Sequence, residues 1–183
     1  MIHFDLNIDG LQRIAVELGA SEKQYRASFS RACQRTAATL RKMSGQGLKT
    51  ELQLRTLGAM RKRLKTIRMK GTKDGVQLWY GLNDMPVSSF KGRPRQDVGG
   101  AWAGKFYHEG GFIGKAQKKN KLTIFKRKGK QRLPIVEQLQ SIKDQADIFI
   151  EDEIFVKLED IFWQHFVRDI RARVKYLETS ERW

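Results

Sequence analysis

The spacing of the apolar residues changes twice along this chain, and the change limits the folds open to it. From about residue 9 to residue 64 apolar side chains recur at helical intervals, whereas between residues 66 and 136 they alternate with polar ones. From about residue 144 the spacing returns to three or four residues. Because all but the first of the predicted strands form one run between helical segments, the pattern predicts an α+β fold.

The first third of the sequence predicts one strand and three helices. Asp9 and Thr50 are residue types that cap helices, and Ser44, Gly45 and Gly47 are expected to end the second helix. The predicted elements are a strand over residues 2–8, a helix from Asp9 to Leu18 closed by Gly19, a helix from Ser21 to about Met43, and a helix from Thr50 to Leu64.

The middle of the sequence predicts strands joined by basic loops. Ile67 and Met69 alternate with charged residues, and a turn at residues 73–75 leads into a second strand that ends at Tyr80, which makes a hairpin. Residues 83–100 are expected to form a loop, and residues 101–136 two or three further strands. Lysines and arginines are concentrated in the turns between these strands, so we expect long basic hairpin tips.

A final helix is expected from Asp144 to Leu177, with a break near residues 150–152. Residues 1–183 are therefore expected to form a single α+β domain, in which helices pack on a small, mainly antiparallel sheet. A long C-terminal helix and protruding basic hairpin loops complete this prediction, and residues 83–132 contain the long loops or arm.

The positive charge of the chain is concentrated in its middle. The formal net charge is +16, and residues 41–132 hold 24 basic and 5 acidic residues, a net charge of +19. Residues 133–183 hold 7 basic and 11 acidic residues, a net charge of −4. A central block this positive must face an anion, an acidic protein surface or open solvent. The run from Arg61 to Lys65 has a simpler explanation in part, since cations complement the C-terminal end of a helix dipole.

Residue patterns that support catalysis or metal binding are nearly absent. Cys33 has no candidate base near it and is expected to act as a small apolar residue, and residues 110–115 lack the spacing of a phosphate loop. The acidic residues from Glu151 to Asp160 are typical of a solvated helix face. Three histidines lack the spacing of a metal site: His3, His108 and His165, the last expected to be a hydrogen-bonded core residue. We therefore expect no enzyme and no catalytic, cofactor or metal site.

The sequence also bears on compartment. No stretch approaches the roughly 18 apolar residues of a membrane span, and the first residues are not typical of a secretory signal. The single cysteine fits a reducing compartment. We expect a cytosolic protein without membrane association.

The sequence also allows nucleic-acid binding. Basic runs alternate with aromatic residues that would stack on bases, although a sheet core requires the same alternation. No signature of base readout is present. The pattern allows sequence-independent phosphate contact through the basic runs and the aromatic residues Trp79, Tyr80, Trp102, Phe106, Tyr107 and Phe125.

In its order of segments the chain resembles the minor tail protein Z family of long-tailed bacteriophages, with their tail-completion relatives. The resemblance covers most of residues 25–175 and rests on an ordered combination of segments. These are the Ala- and Arg-rich second helix, Met60-Arg61-Lys62-Arg63-Leu64, the strands from Val76 to Leu82, the glycine-rich stretch from Val98 to Gly114, Phe125-Lys126-Arg127 leading to Arg132-Leu133-Pro134-Ile135, and the long C-terminal helix.

The resemblance implies a structural virion protein that completes the tail at its head-proximal end and helps to join tail and head. Related completion proteins form rings, sixfold ones being expected here, around the channel through which DNA passes. The implied partners are further copies of the chain, other tail and head–tail connector proteins, and genomic DNA. The implied location is the virion tail, assembled in the bacterial host cytoplasm.

The residues expected to contact neighbouring subunits or the DNA backbone are basic and lie in hairpin tips or at a helix end. The alternative function is that of a sequence-independent nucleic-acid-binding protein acting free in the cell. The candidate contact residues are Lys115, Lys118, Lys119, Lys121, Lys126, Arg127, Lys128 and Lys130, together with Arg61, Lys62 and Arg63.

Overall fold

The computed structural model describes residues 8–69, 75–116 and 121–180. The predicted strand over residues 2–8 lies outside this part except for Ile8, which begins a helix, and most of the predicted turn at 73–75 also lies outside it. The helices are α1 (Ile8–Glu17), α2 (Glu22–Glu51), α3 (Gly58–Arg61), α4 (Lys143–Phe149) and α5 (Leu158–Ser180). A π-helical turn (Ile150–Ile154) and a 3-10 turn (Phe155–Lys157) connect α4 to α5.

The described residues form ten short strands, which are arranged in four sheets. They are β1 (Leu64–Met69), β2 (Gly75–Tyr80), β3 (Met85–Pro86), β4 (Arg95–Asp97), β5 (Gly100–Ala103), β6 (Phe106–Glu109), β7 (Gly111–Ala116), β8 (Lys121–Arg127), β9 (Ile135–Glu137) and β10 (Leu139–Gln140). β1 pairs with β2 and β3 with β10, while β4-β5-β6 and β7-β8-β9 form three-stranded antiparallel sheets. The α+β prediction, with small antiparallel sheets and a long C-terminal helix, is confirmed.

The chain divides into two compact units. The first comprises residues 1–43, 65–79 and 151–183, and the second comprises residues 44–64 and 80–150. Helix α2 therefore contributes residues to both. The expectation of a single domain stays a prediction.

Aromatic packing between helices forms the core of the first unit. Phe162 and Phe166 of α5 are buried, and Phe29 of α2 meets Phe162 edge-on with ring centroids 5.7 Å apart. Tyr25 meets Phe166 in the same way at 5.9 Å. Edge-to-face pairs of this kind add to the free energy gained by burying the rings. This contact uses the apolar stripe that the sequence predicts on the last helix.

A buried carboxylate accompanies this core. Asp169 of α5 is 5% exposed, and it accepts a hydrogen bond from Arg173 Nε at 2.7 Å. Arg31 and Arg35 of α2 approach the same carboxylate at 3.7 and 3.6 Å. Three arginines of this basic chain are thus engaged by one acidic residue.

In the second unit, β5 and β8 supply the centre of a small core. Ala101 and Ile124 are fully buried and pack with Val87, while Ile113 lies partly buried beside them. β7 can approach β8 closely because Gly111 has no side chain: a Cβ there would lie 2.7 Å from Cγ2 of Ile124.

The prediction that α2 ends near Met43 is wrong, because the helix continues to Glu51. The residues expected to break it are packing positions instead. Ser44 is buried with its hydroxyl 3.0 Å from that of Tyr80, and the ring of Phe149 lies where a Cβ of Gly47 would stand. The small residues allow close approach, which offsets their weak helix propensity of about 1 kcal/mol for glycine.

The predicted third helix from Thr50 to Leu64 is also wrong in its extent. Only Gly58–Arg61 is helical, and β1 already begins at Leu64. Thr50 donates its hydroxyl hydrogen to the Gln46 carbonyl within α2 and caps nothing. The chain turns at Gln53, which has a φ of 50°, so that the buried Leu54 can bridge to Phe90.

Other boundaries follow the sequence more closely. The predicted hairpin of β1 and β2 is present, and the last helix is interrupted from Ile150, where a break was expected. Residues 100–137 hold five strands instead of two or three, and the expected loop at 83–100 contains the short strands β3 and β4.

We predict that Gly100→Ala lowers the free energy of unfolding by about 1 to 3 kcal/mol, the usual cost of overpacking a core. A Cβ at this buried position would collide with the His108 carbonyl oxygen and stand 2.7 Å from the Tyr107 hydroxyl. Gly129→Ala is the control, since no atom lies within 4 Å of a Cβ there. Urea denaturation measures both variants, and equal stability of the two would contradict the packing described.

Candidate functional site

The sheet β7-β8-β9 holds four of the predicted contact residues, two at each end. Lys115 and Lys121 lie where β7 ends and β8 begins, whereas Lys126 and Arg127 lie at the far end of β8. Arg127 follows Lys121 by six positions along the strand, a distance of about 20 Å. The structure therefore brings the described tip residues together as two clusters. Lys118 and Lys119 lie outside the described residues.

The cluster at the far end continues into the turn after β8. Lys128, Lys130 and Arg132 are exposed, and the Lys128 amide donates to the Pro134 carbonyl at 3.1 Å, which closes the turn. Arg127 is held in place, since it donates to the Arg132 carbonyl and lies over the Phe112 ring at 5.7 Å. Among the described residues, none of these cations forms an ion pair.

An exposed apolar segment follows this turn in the sequence. Leu133 is 65% exposed and Leu139 52%, and Ile135 and Val136 between them are also exposed. β9 is the outermost strand of its sheet. We call residues 126–139 the basic edge; its exposed cations are Lys126, Arg127, Lys128, Lys130 and Arg132, and its exposed apolar residues are Leu133, Ile135, Val136 and Leu139.

Some backbone groups of β9 point away from β8. Gln138 donates to the Ile124 carbonyl at 2.8 Å, and the Pro134 carbonyl accepts from Lys128, so alternate residues bond toward β8. In an antiparallel ladder the residues between them direct N–H and C=O the other way. Ile135 and Glu137 therefore present theirs away from β8.

The basic residues near α3 divide into two kinds. Arg61 and Lys62 are exposed. The guanidinium of Arg63 instead donates to the carbonyls of Gly81, Asn83 and Asp84, the last at 3.1 Å. Arg63 thereby fixes the loop that follows β2.

A groove of about 220 Å³ in the second unit was not expected from the sequence. Lys91, Arg93 and Lys105 are exposed along it, and Phe90 and Phe106 form part of its wall. Arg55 donates to the carbonyls of Phe90 and Gly92 and so holds one side. These residues come from segments some 50 positions apart, and no local pattern in the sequence signals their meeting.

The histidines have structural surroundings. His165 Nε2 lies 3.3 Å from the Thr39 hydroxyl, in keeping with the expected hydrogen-bonded histidine. Burial, with Arg35 and Arg168 nearby, lowers the pKa of His165, and burial alone lowers the pKa of His108. The Nε2 atom of His108 is buried without a hydrogen-bond partner among the described residues.

Other chemical groups can be placed as well. Cys33 is half-buried against the aromatic core of the first unit, as expected of a small apolar residue. The acidic residues from Glu151 to Glu153 are exposed, and within the described ranges no group of three or more His, Cys, Asp or Glu side chains is placed to hold a metal ion. None of the described helices has the length and apolar character to cross a membrane.

Comparison with known proteins gives no match: no family model, curated protein or solved structure matches the chain.

We predict that Arg63→Ala lowers the free energy of unfolding by about 1 to 3 kcal/mol, because three carbonyls lose a charged donor. Lys62→Ala is the matched control and changes it by about 0.5 kcal/mol at most, as expected of an exposed side chain. Thermal or urea denaturation measures both. A stable Arg63→Ala variant would show that the loop after β2 does not need the guanidinium.

We predict that the protein loses stability as the pH falls below about 6.5, the ordinary pKa of histidine. His108 and His165 have pKa values below the ordinary 6.5, so the unfolded chain binds protons first. Their contribution is present above about pH 6.5 and is lost as the pH falls toward the folded-state values. The double variant His108→Gln, His165→Gln should flatten this dependence, and NMR titration of the imidazole protons should give both low pKa values. An unchanged slope in the double variant would contradict the assignment.

Proposed function

We propose that this protein is a structural virion component that completes a phage tail at its head-proximal end, by assembling into a ring around the DNA channel. The observation that carries the proposal is the basic edge, where exposed cations stand next to exposed apolar side chains. The ordered resemblance to tail-completion proteins supports the same conclusion.

The composition of the basic edge is more typical of an assembly surface than of a solvated loop. Solvated loops need no run of large apolar side chains, and adjacent exposed apolar residues on an outer strand favour association. A surface that combines this apolar stretch with cations binds a partner with apolar contact and negative charge. In a ring each copy supplies such a surface to its neighbour.

Genomic DNA is the second proposed partner. Lys115 and Lys121, together with exposed Arg61 and Lys62, would neutralise phosphates without reading bases, as a channel through which any sequence passes requires. Contact of this kind depends on salt and not on sequence.

One observation favours the alternative, a nucleic-acid-binding protein acting free in the cell. Trp79 of β2 is 43% exposed, and Lys65 Nζ lies 5.2 Å from its ring centroid. An exposed aromatic ring beside a cation is a stacking platform for bases. The alternative therefore predicts binding by the isolated chain in which Trp79 takes part.

We predict that cryo-electron microscopy of particles from the source will find this chain as a ring between tail tube and portal. Phages that lack the protein should accumulate separate heads and tails, and supplying the protein should restore joining. To test the alternative function, the isolated chain is titrated with duplex DNA at physiological salt. Tight binding that Trp79→Ala weakens, together with absence of the chain from particles, would contradict the tail proposal and support the alternative.

A further inference from the structure

We propose that the basic edge of one copy binds the helical segment from Glu151 to Asp160 of a second copy, so that the chain assembles head to tail. We call residues 151–160 the acidic segment. The inference rests on the proposed function and names the subunit contact that builds the ring.

The basic edge offers a contiguous surface for such a contact. Its cations are exposed and form no ion pair with a described residue. Of its apolar residues, Ile135 and Val136 lie on the outermost strand, opposite Arg127 and Lys126, whereas Leu133 precedes this strand and Leu139 follows it. Burying these large apolar side chains is favourable, because their apolar surface leaves water. A partner must supply both apolar contact and negative charge.

The acidic segment has the matching composition. Glu151, Asp152, Glu153, Glu159 and Asp160 are exposed, and Val156 among them is 67% exposed. Lys157 is the one cation of the segment, and it is paired with Glu153 at 3.0 Å. Five acidic residues and one exposed apolar residue thus face solvent on a short helical stretch.

Charge decides how two copies can meet. A two-fold contact between two basic edges would place cations against cations, which opposes association. A heterologous contact between different surfaces avoids this, and such contacts close into rings when the rotation fits. DNA would neutralise the cations of the basic edge, but its phosphates would leave Leu133 and Leu139 exposed. The acidic segment of a second copy offers carboxylates to the cations and Val156 to the apolar side chains.

The test is a charge exchange in the full chain. Lys128→Glu with Lys130→Glu reverses two cations of the basic edge, and Glu151→Lys with Asp152→Lys reverses two carboxylates of the acidic segment. Each double variant should weaken self-association about tenfold or more, measured by sedimentation equilibrium at low salt. The variant that carries all four changes should recover most of the loss, since opposite charges again face each other.

A matched control separates this contact from the effect of net charge. Arg41→Glu with Lys42→Glu changes exposed cations of α2 and alters the net charge by the same amount as the basic-edge variant. It should leave self-association unchanged. Circular dichroism confirms that each variant is folded.

The outcomes are distinct. Recovery in the fourfold variant, with no effect of the control, supports the proposal even if the chain proves absent from tails, and then only the proposed function fails. Wild-type protein that stays monomeric up to its highest soluble concentration overturns the head-to-tail contact. The proposal is also overturned if the variant with all four changes self-associates as weakly as the two double variants. A basic-edge variant that loses DNA binding while its self-association is unchanged would overturn it as well.

Discussion

Small side chains on α2 are the constraint on which both compact units depend. A buried residue recurs at every fourth position, and most of these residues are small: Ser28, Ala32, Thr36, Leu40, Ser44 and Leu48. In the first unit Ala32 admits the aromatic rings of α5. In the second unit Gly47 admits the ring of Phe149. Because packed interiors leave little free volume, a larger side chain at these positions would displace the element that lies against it.

The charge of the chain is less available than its count indicates, and residue type explains the difference. Several arginines hold the fold together: Arg55, Arg63 and Arg127 donate to backbone carbonyls, and Arg31, Arg35 and Arg173 surround Asp169. A planar guanidinium with several donors suits such bonding, whereas a lysine ammonium is strongly hydrated. Lys62, Lys128 and Lys130 accordingly remain exposed. Surface contact with an anionic partner therefore falls mainly to lysines.

Periodicity predicts those elements whose pattern is local. Three features follow from the local sequence: the hairpin of β1 and β2, the break at Ile150, and the buried stripe through Phe162 and Phe166. The end of α2 does not follow from the local sequence. Taken alone, Gly47 predicts a break in the helix, whereas in the fold it is a packing position against Phe149, about a hundred residues away. Likewise, the exposure of Lys128 could be predicted, whereas the anchoring of Arg63 depends on the loop from Gly81 to Asp84. The apolar part of the basic edge was missed because Leu133 to Val136 is equally typical of a buried strand.

The position of the cations on the basic edge has a physical reason beyond binding. An outermost strand with exposed apolar side chains is prone to pair with other strands, and flanking charges of one sign oppose that pairing. Five cations beside Ile135 and Val136 therefore keep identical edges apart in the unassembled protein. The same charges favour a surface of opposite sign, so protection from aggregation and choice of partner follow from one arrangement. On this argument, replacing the lysines with neutral residues would not merely weaken a contact: it would also allow two edges to associate in the wrong way.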